Sequence, residues 1–111
     1  MTILDISQRI GATVVCGDTN KSFDGVYVGD LLSRAMSHVG LDNLWITSMA
    51  NVNVVAVATL TEPAAVILAE GVVLQEEALA GAVKNGITVL SSPLSAYEIC
   101  VALHRASEEE A

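Results

Sequence analysis

The sequence predicts an α/β protein in which a small, mainly parallel sheet is covered by helices on both faces. Short apolar segments alternate along the chain with segments of helical periodicity, as in proteins built from strand–helix–strand units. The predicted strands are continuously apolar, which is typical of parallel strands buried on both faces. We therefore expect a three-layer α/β/α fold with right-handed crossovers, formed by residues 1–106 as a single domain.

Five strands and five helices are expected in alternation. Candidate N-caps or capping motifs precede four of the helices, at Thr2, Asp30, Asn51 and Ser95. The expected strands cover residues 12–16, 25–28, 44–47, 64–68 and 87–90. The expected helices cover residues 2–10, 31–39, 52–60, 75–84 and 95–105.

The central segment, residues 44–60, decides the fold because its valines favour β structure locally. A single strand of that length would far exceed the usual length of about 5–6 residues. A hairpin is also excluded, since Ser48–Asn51 offers none of the dipeptides that form tight turns. The segment is better divided into a strand, a turn and a helix, with Asn51 as N-cap and Pro63 closing the helix.

The central helix is apolar on almost every side, and a small monomer has difficulty covering such a helix completely. This pattern favours a homodimer formed through the helix or beside it, with expected contacts at Val54, Val57 and Ala58. Tyr27, on an expected edge strand, is a further candidate contact. The alternative is a central helix fully enclosed by its own domain.

Composition and charge exclude several classes of function. The chain carries 13 acidic and 5 basic residues, a net charge of −8, so neither nucleic acid nor an anionic membrane is an expected partner. No apolar run reaches the roughly 20 residues that span a bilayer, and no signal peptide is recognisable. The two cysteines form no disulfide framework and indicate a cytoplasmic location. Residues 107–111 are expected to form a frayed acidic tail.

Three segments, in their order and spacing, resemble a stand-alone DRTGG domain: residues 25–33, residues 44–47 with the helix after Asn51, and residues 87–98. The resemblance implies an α/β domain that is usually dimeric. Related domains are non-catalytic modules of phosphotransacetylases and CBS-domain pyrophosphatases. The motif itself is largely absent. Met49-Ala50-Asn51 replaces the Asp-Arg pair, and Ala69-Glu70-Gly71 replaces Thr-Gly-Gly, so that only Gly71 matches.

Polar residues follow the expected strands, where loops of an open α/β sheet converge and ligands bind. The structural alternative is ordinary helix capping for Asp30 and Asn51, and turn stabilisation for Thr47 and Ser48. No phosphate loop or dinucleotide fingerprint is present. The candidate ligand-binding residues are Asp30, Thr47, Ser48, Asn51, Asn53, Glu70, Gly71 and Ser92.

Catalytic and metal sites find little support in the sequence. Asp30 and Glu70 are the only carboxylates placed to act as an acid–base pair, and nothing indicates that their environments differ. The histidines and cysteines show no metal-ligand spacing, and no cofactor is expected. The leading hypothesis is therefore a non-catalytic regulatory or interaction module acting as a homodimer. The alternative is a sensor that binds a nucleotide or acyl metabolite at the strand ends. Of the three classes of function, an enzyme is the least favoured.

Overall fold

The computed structural model describes residues 1–110 and shows a five-stranded sheet between two layers of helices. The predicted three-layer α/β fold is confirmed. The strands are β1 (Thr13–Cys16), β2 (Val26–Val28), β3 (Leu44–Thr47), β4 (Ala65–Leu68) and β5 (Val89–Ser91). The helices are α1 (Ile3–Arg9), α2 (Leu32–His38), α3 (Val52–Thr61), α4 (Glu76–Lys84) and α5 (Ala96–Glu110).

The strand order is β1-β5-β4-β3-β2, and the four strands from β2 to β5 run parallel. Only β1 is antiparallel, and its pairing with β5 is irregular between Val14 and Cys16. The two edges of the sheet are therefore a bulged strand, β1, and a regular strand, β2.

Each face of the sheet has its own core. Helices α2, α3 and α4 cover one face, where Trp45, Val66, Leu68 and Val89 are buried. Helices α1 and α5 cover the other, against side chains such as Ile67. The alternation of side chains along each strand supplies both cores, which explains the continuously apolar strand sequences.

The predicted division of the central segment is confirmed. The Asn51 side chain accepts hydrogen bonds from the amides of Asn53, at 3.0 Å, and Val54, at 3.3 Å, and so caps α3. However, Val54, Val57 and Ala58 are only 1%, 4% and 0% exposed. The prediction that these three residues contact a second subunit is wrong, because they pack inside the domain on the side of α3 that faces the core, while α2 and α4 flank the helix. The outward side of α3 stays open to solvent, with Val52 43% and Leu60 69% exposed.

The acidic C-terminal segment is also helical rather than frayed, since α5 continues to Glu110. Glu110 pairs with the N-terminal ammonium of Met1 at 3.1 Å, and Glu109 pairs with Arg9 of α1. These ion pairs join the end of α5 to the start of the chain. Ala111 lies outside the described residues. Within residues 1–110, no helix combines the length and hydrophobicity needed to cross a membrane.

Candidate functional site

The carboxyl ends of β2, β3, β4 and β5 open on the same edge of the sheet because these strands are parallel. Four loops follow them, at residues 29–31, 48–51, 69–75 and 92–95. We call these loops the strand-end rim. All but one of the predicted ligand-binding residues lie in the rim or immediately beside it, and Asn53 follows in the first turn of α3.

Asp30, Thr47 and Ser48 form one hydrogen-bonded cluster between the ends of β2 and β3. The Asp30 carboxylate accepts from the Thr47 hydroxyl at 2.6 Å, from the Ser48 amide at 2.8 Å and from the Ser48 hydroxyl at 2.8 Å. These donors, the Thr47 hydroxyl first, lower the pKa of the Asp30 carboxyl below its ordinary value. Asp30 is therefore a fixed anion that links two neighbouring loops.

This cluster corrects the predicted role of Asp30 as a helix cap. Helix α2 begins at Leu32, and its N-cap residue, Leu31, makes no side-chain capping bond. The Asp30 side chain turns instead to the end of β3, where Thr47 is 2% exposed. The bond therefore satisfies a buried hydroxyl, a structural role that a ligand would have to displace.

Asn51 and Asn53 differ in their availability. The Asn51 side chain is occupied by the two capping bonds at the start of α3, whereas Asn53 is exposed in the first helical turn. Behind them, the Gln75 amide donates to the Ala50 carbonyl at 3.0 Å. That bond ties the loop after β4 to the loop after β3.

Glu70 and Gly71 adopt consecutive left-handed conformations, with φ of 63° and 70°. Their amides donate to the carbonyls of Leu94 and Ser92, each at 2.8 Å, and so join the loops after β4 and β5. In the resemblance noted above, these two positions correspond to the paired glycines of Thr-Gly-Gly. The backbone geometry gives a physical reason for glycine there, although Glu70 tolerates the left-handed region at a cost of about 1 kcal/mol.

Ser92 lies outside the accessible part of the rim, which corrects its prediction as a ligand contact. Its side chain is fully buried, its hydroxyl donates to the Ile10 carbonyl at 2.7 Å, and it accepts from the Leu94 amide at 3.2 Å. The bond to Ile10 fixes the chain after β5 to the end of α1, and the bond from Leu94 stabilises the loop itself. A serine so placed stabilises the fold.

Few titratable groups lie in the rim, where Asp30 and Glu70 are the two carboxylates. Within residues 1–110, no three His, Cys, Asp or Glu side chains lie close enough together to hold a metal ion. Burial raises the pKa of the Cys16 and Cys100 thiols, which makes them poorer nucleophiles. The rim loops contain no lysine or arginine. They offer carboxylates, amides and hydroxyls, a set suited to binding uncharged or cationic polar groups.

Sequence reasoning missed an open groove of about 480 Å³ between the start of β2 and α5. Its apolar lining includes Phe23, Val26, Cys100 and Leu103, with His104 among the polar residues. Tyr27 points to the other face of β2, is half-buried, and stacks on His38 with ring centroids 5.9 Å apart. The exposed apolar residues of β2 were the available sequence signal for this surface.

Comparisons with known proteins identify the fold and the family. The family model of the DRTGG domain matches residues 5–106. No curated protein matches the chain significantly. A similar solved structure is the crystal structure of the CBS and DRTGG domains of the regulatory region of Clostridium perfringens pyrophosphatase, complexed with its activator, diadenosine tetraphosphate. It superposes with a TM-score of 0.74 at 16% identity, over 91% of this chain and 45% of the other, so this chain spans less than half of that regulatory region. The family-model match over residues 5–106, nearly the whole chain, shows that the chain belongs to the DRTGG domain family.

Proposed function

We propose that this protein is a non-catalytic regulatory module that acts as a homodimer in the cytoplasm. The observation that carries the proposal is the state of the rim: Asp30, Thr47, Ser48, Asn51 and Ser92 are all engaged in bonds that hold the fold. Side chains occupied in this way are poorly placed to transfer protons or to attack a substrate. The similar pyrophosphatase region is described as regulatory, which agrees with this proposal.

The apolar surface left open supports the dimer. Twelve large hydrophobic side chains of the described residues are exposed, and among them Val26, Val28, Leu31 and Met36 lie on β2, on α2 or between the two. Exposed apolar groups gathered at one edge of a domain are typical of an interaction surface. The unpaired thiols Cys16 and Cys100 agree with a reducing compartment.

The oligomeric state is tested by sedimentation equilibrium over a wide range of protein concentration. We expect a reversible monomer–dimer equilibrium, because the apolar surface is limited and each subunit carries a net charge of −8. A sample that remains monomeric at high micromolar concentration would refute the homodimer. The regulatory role is tested separately, by searching for a ligand.

A second candidate function is sensing of a nucleotide or acyl metabolite at the rim, favoured by the nucleotide activator bound to the similar regulatory region. The exposed predicted contacts are Asp30, Asn53, Glu70 and Gly71, and of these only the Asp30 side chain is already engaged in hydrogen bonds to Thr47 and Ser48. Since the rim has two carboxylates and no cation, binding would have to use the base, the ribose or the acyl group rather than bare phosphates.

Thermal-shift screening with nucleosides, nucleotides, acyl phosphates and coenzyme A tests the sensor function, because a ligand that binds the native state raises its melting temperature. The test variant is Asn53→Ala, which removes an exposed side-chain amide without removing the Asn51 cap of α3. We expect any genuine shift from a rim ligand to decrease in this variant. Absence of a shift with every compound would argue against a sensor and leave the dimeric module untouched.

A further inference from the structure

The free edge of β2 presents its backbone polar groups to solvent. The Leu44 amide donates to the Gly25 carbonyl at 3.0 Å, and the Gly29 amide donates to the Ile46 carbonyl at 3.1 Å. Because backbone groups of successive strand residues point to opposite sides, Gly25, Tyr27 and Gly29 face β3. The amides and carbonyls of Val26 and Val28 therefore point away from the sheet, where no further strand lies among residues 1–110.

We infer that two copies of this chain associate by pairing their β2 strands antiparallel around a two-fold axis that passes beside Tyr27, giving a continuous ten-stranded sheet. The inference rests on the proposed homodimer and specifies its interface. In this register Val26 of each copy faces Val28 of the other. Each of the two facing pairs exchanges two hydrogen bonds, so the four outward amides of the two strands donate to their four outward carbonyls in four bonds. The pattern is self-complementary, as an interface between identical subunits must be.

The two edges of the sheet differ in their protection against such pairing. Strand β1 carries an irregularity between Val14 and Cys16, and bulges of this kind turn an edge away from a new strand. Strand β2 pairs regularly with β3 and contains no lysine, proline or bulge. Of the two open edges, β2 is therefore the one able to accept another strand.

The surface beside β2 is apolar enough to support a second copy. Five exposed side chains lie on β2, on α2 or in the segments that flank α2. Together they expose on the order of 400 Å² per subunit, or roughly 800 Å² in a dimer, against the 1,200–2,000 Å² of a standard interface. The exposed fractions of these five side chains are Val26 45%, Val28 45%, Leu31 63%, Met36 46% and Leu41 66%. In the inferred dimer, the paired backbones and the periphery of the contact supply the remaining area. The area predicts a reversible dimer of modest affinity.

Charge sets the expected salt dependence. In the inferred register, Asp24 of one copy lies opposite Asp30 of the other, beyond the ends of the paired residues. Since each subunit also carries a net charge of −8, electrostatic repulsion opposes the contact. We expect the dimer to strengthen as salt rises toward about 1 M, where the Debye length falls to about 3 Å. A dimer held by charge pairs would weaken instead and would overturn the inference.

The decisive test compares Val28→Lys with Val73→Lys by sedimentation equilibrium. Both variants replace an exposed valine, and both change the charge equally, but Val73 lies in the loop after β4, far along the chain from β2. We expect Val28→Lys to raise the dissociation constant at least tenfold and Val73→Lys to leave it unchanged. If the wild-type protein dimerises and Val28→Lys dimerises equally well, the β2 interface is refuted while the proposed homodimer survives. If the wild-type protein is monomeric throughout, both fall.

Cross-linking tests the register without depending on the lysine variant. Val26→Cys and Val28→Cys are made separately in a background that lacks Cys16 and Cys100, and then mixed under mild oxidation. Directly opposed residues in a hydrogen-bonded antiparallel pair have Cα atoms about 5.5 Å apart, within the range of a disulfide. We expect a disulfide between the two different variants in preference to one between identical chains. Preferential linkage of identical chains, or none, would overturn the register.

Discussion

Replacing Asp30 with alanine tests whether the cluster at the strand-end rim stabilises the fold. The Asp30 carboxylate accepts three hydrogen bonds, but only the donor from Thr47 is buried, at 2% exposure. In the variant, water can replace the carboxylate at the exposed Ser48 groups, so their loss costs little. The Thr47 hydroxyl loses its acceptor in a buried place, a cost of about 1–3 kcal/mol. We expect the variant to unfold with a free energy lower by about 1–2 kcal/mol.

Urea denaturation at fixed protein concentration measures the difference, and the midpoint should fall by about 1 M if the m-value lies within its usual range of about 1–3 kcal/mol per molar. A double-mutant cycle isolates the buried bond. Thr47→Val removes the hydroxyl while keeping the shape of the side chain, so Asp30→Ala should cost clearly less in that background. Equal costs in both backgrounds would show that the Asp30–Thr47 bond contributes nothing.

The same variant gives a pH dependence of known sign. The pKa of Asp30 is lower in the folded protein than in the unfolded chain, so the folded state holds the charged form more strongly. Its contribution is complete above the unfolded pKa, near 4, and is lost as the pH falls through the lower folded pKa. The stability gap between wild type and Asp30→Ala should therefore narrow on acidification below about pH 4. A gap that widened in acid would contradict the assigned hydrogen bonds.

Substitutions at three further positions test single features of the fold by thermal or urea unfolding. Asn51→Ala removes both capping bonds of α3 and should cost about 1 kcal/mol, whereas Asn51→Asp should restore most of that loss. Gly17→Ala should destabilise by at least about 2 kcal/mol, because a Cβ there would lie 2.4 Å from the Thr88 Cα in a left-handed backbone; a neutral result would contradict the packing of that turn. Glu70→Gly should be neutral or slightly stabilising, while Glu70→Val should cost about 1–2 kcal/mol, and the reverse order would refute the left-handed conformation.

Local signals in the sequence were sufficient for most of the secondary structure. The cap at Asn51 and the break at Pro63 predicted α3 against the β preference of its valines. The capping box of Ser95 and Glu98 is present, with reciprocal bonds of 3.0 and 3.1 Å. These motifs are satisfied by neighbours within four residues, which is why a sequence window can recognise them.

Long-range pairing could not be predicted in the same way. Nothing near Asp30 in the sequence indicates that its carboxylate would bond to Thr47 at the end of β3 and to Ser48 just after it. These partners lie 17 and 18 positions later in the chain. The acidic end of α5 is likewise held by Arg9 and the N-terminus, at the opposite end of the chain. A polar residue at a strand end has several possible partners, and only the packed sheet decides among them.

Because Val54, Val57 and Ala58 of α3 are buried within the domain, the expected contact with a second subunit moves from this helix to the edge of the sheet. Four parallel strands lie in the order β5-β4-β3-β2 and place α2, α3 and α4 side by side on one face, so the middle helix is flanked on both sides and buries Val54, Val57 and Ala58 within the domain. The same order leaves β2 at the end of the sheet, with α2 on one face and an open groove toward α5 on the other. Exposed apolar side chains lie at the end of the helical row, at Leu31 and Met36, and also on the outward side of α3, at Val52 and Leu60. A helix that is apolar on almost every side indicates a central position in such a row, and the unpaired edge strand is where a second subunit can add to the sheet.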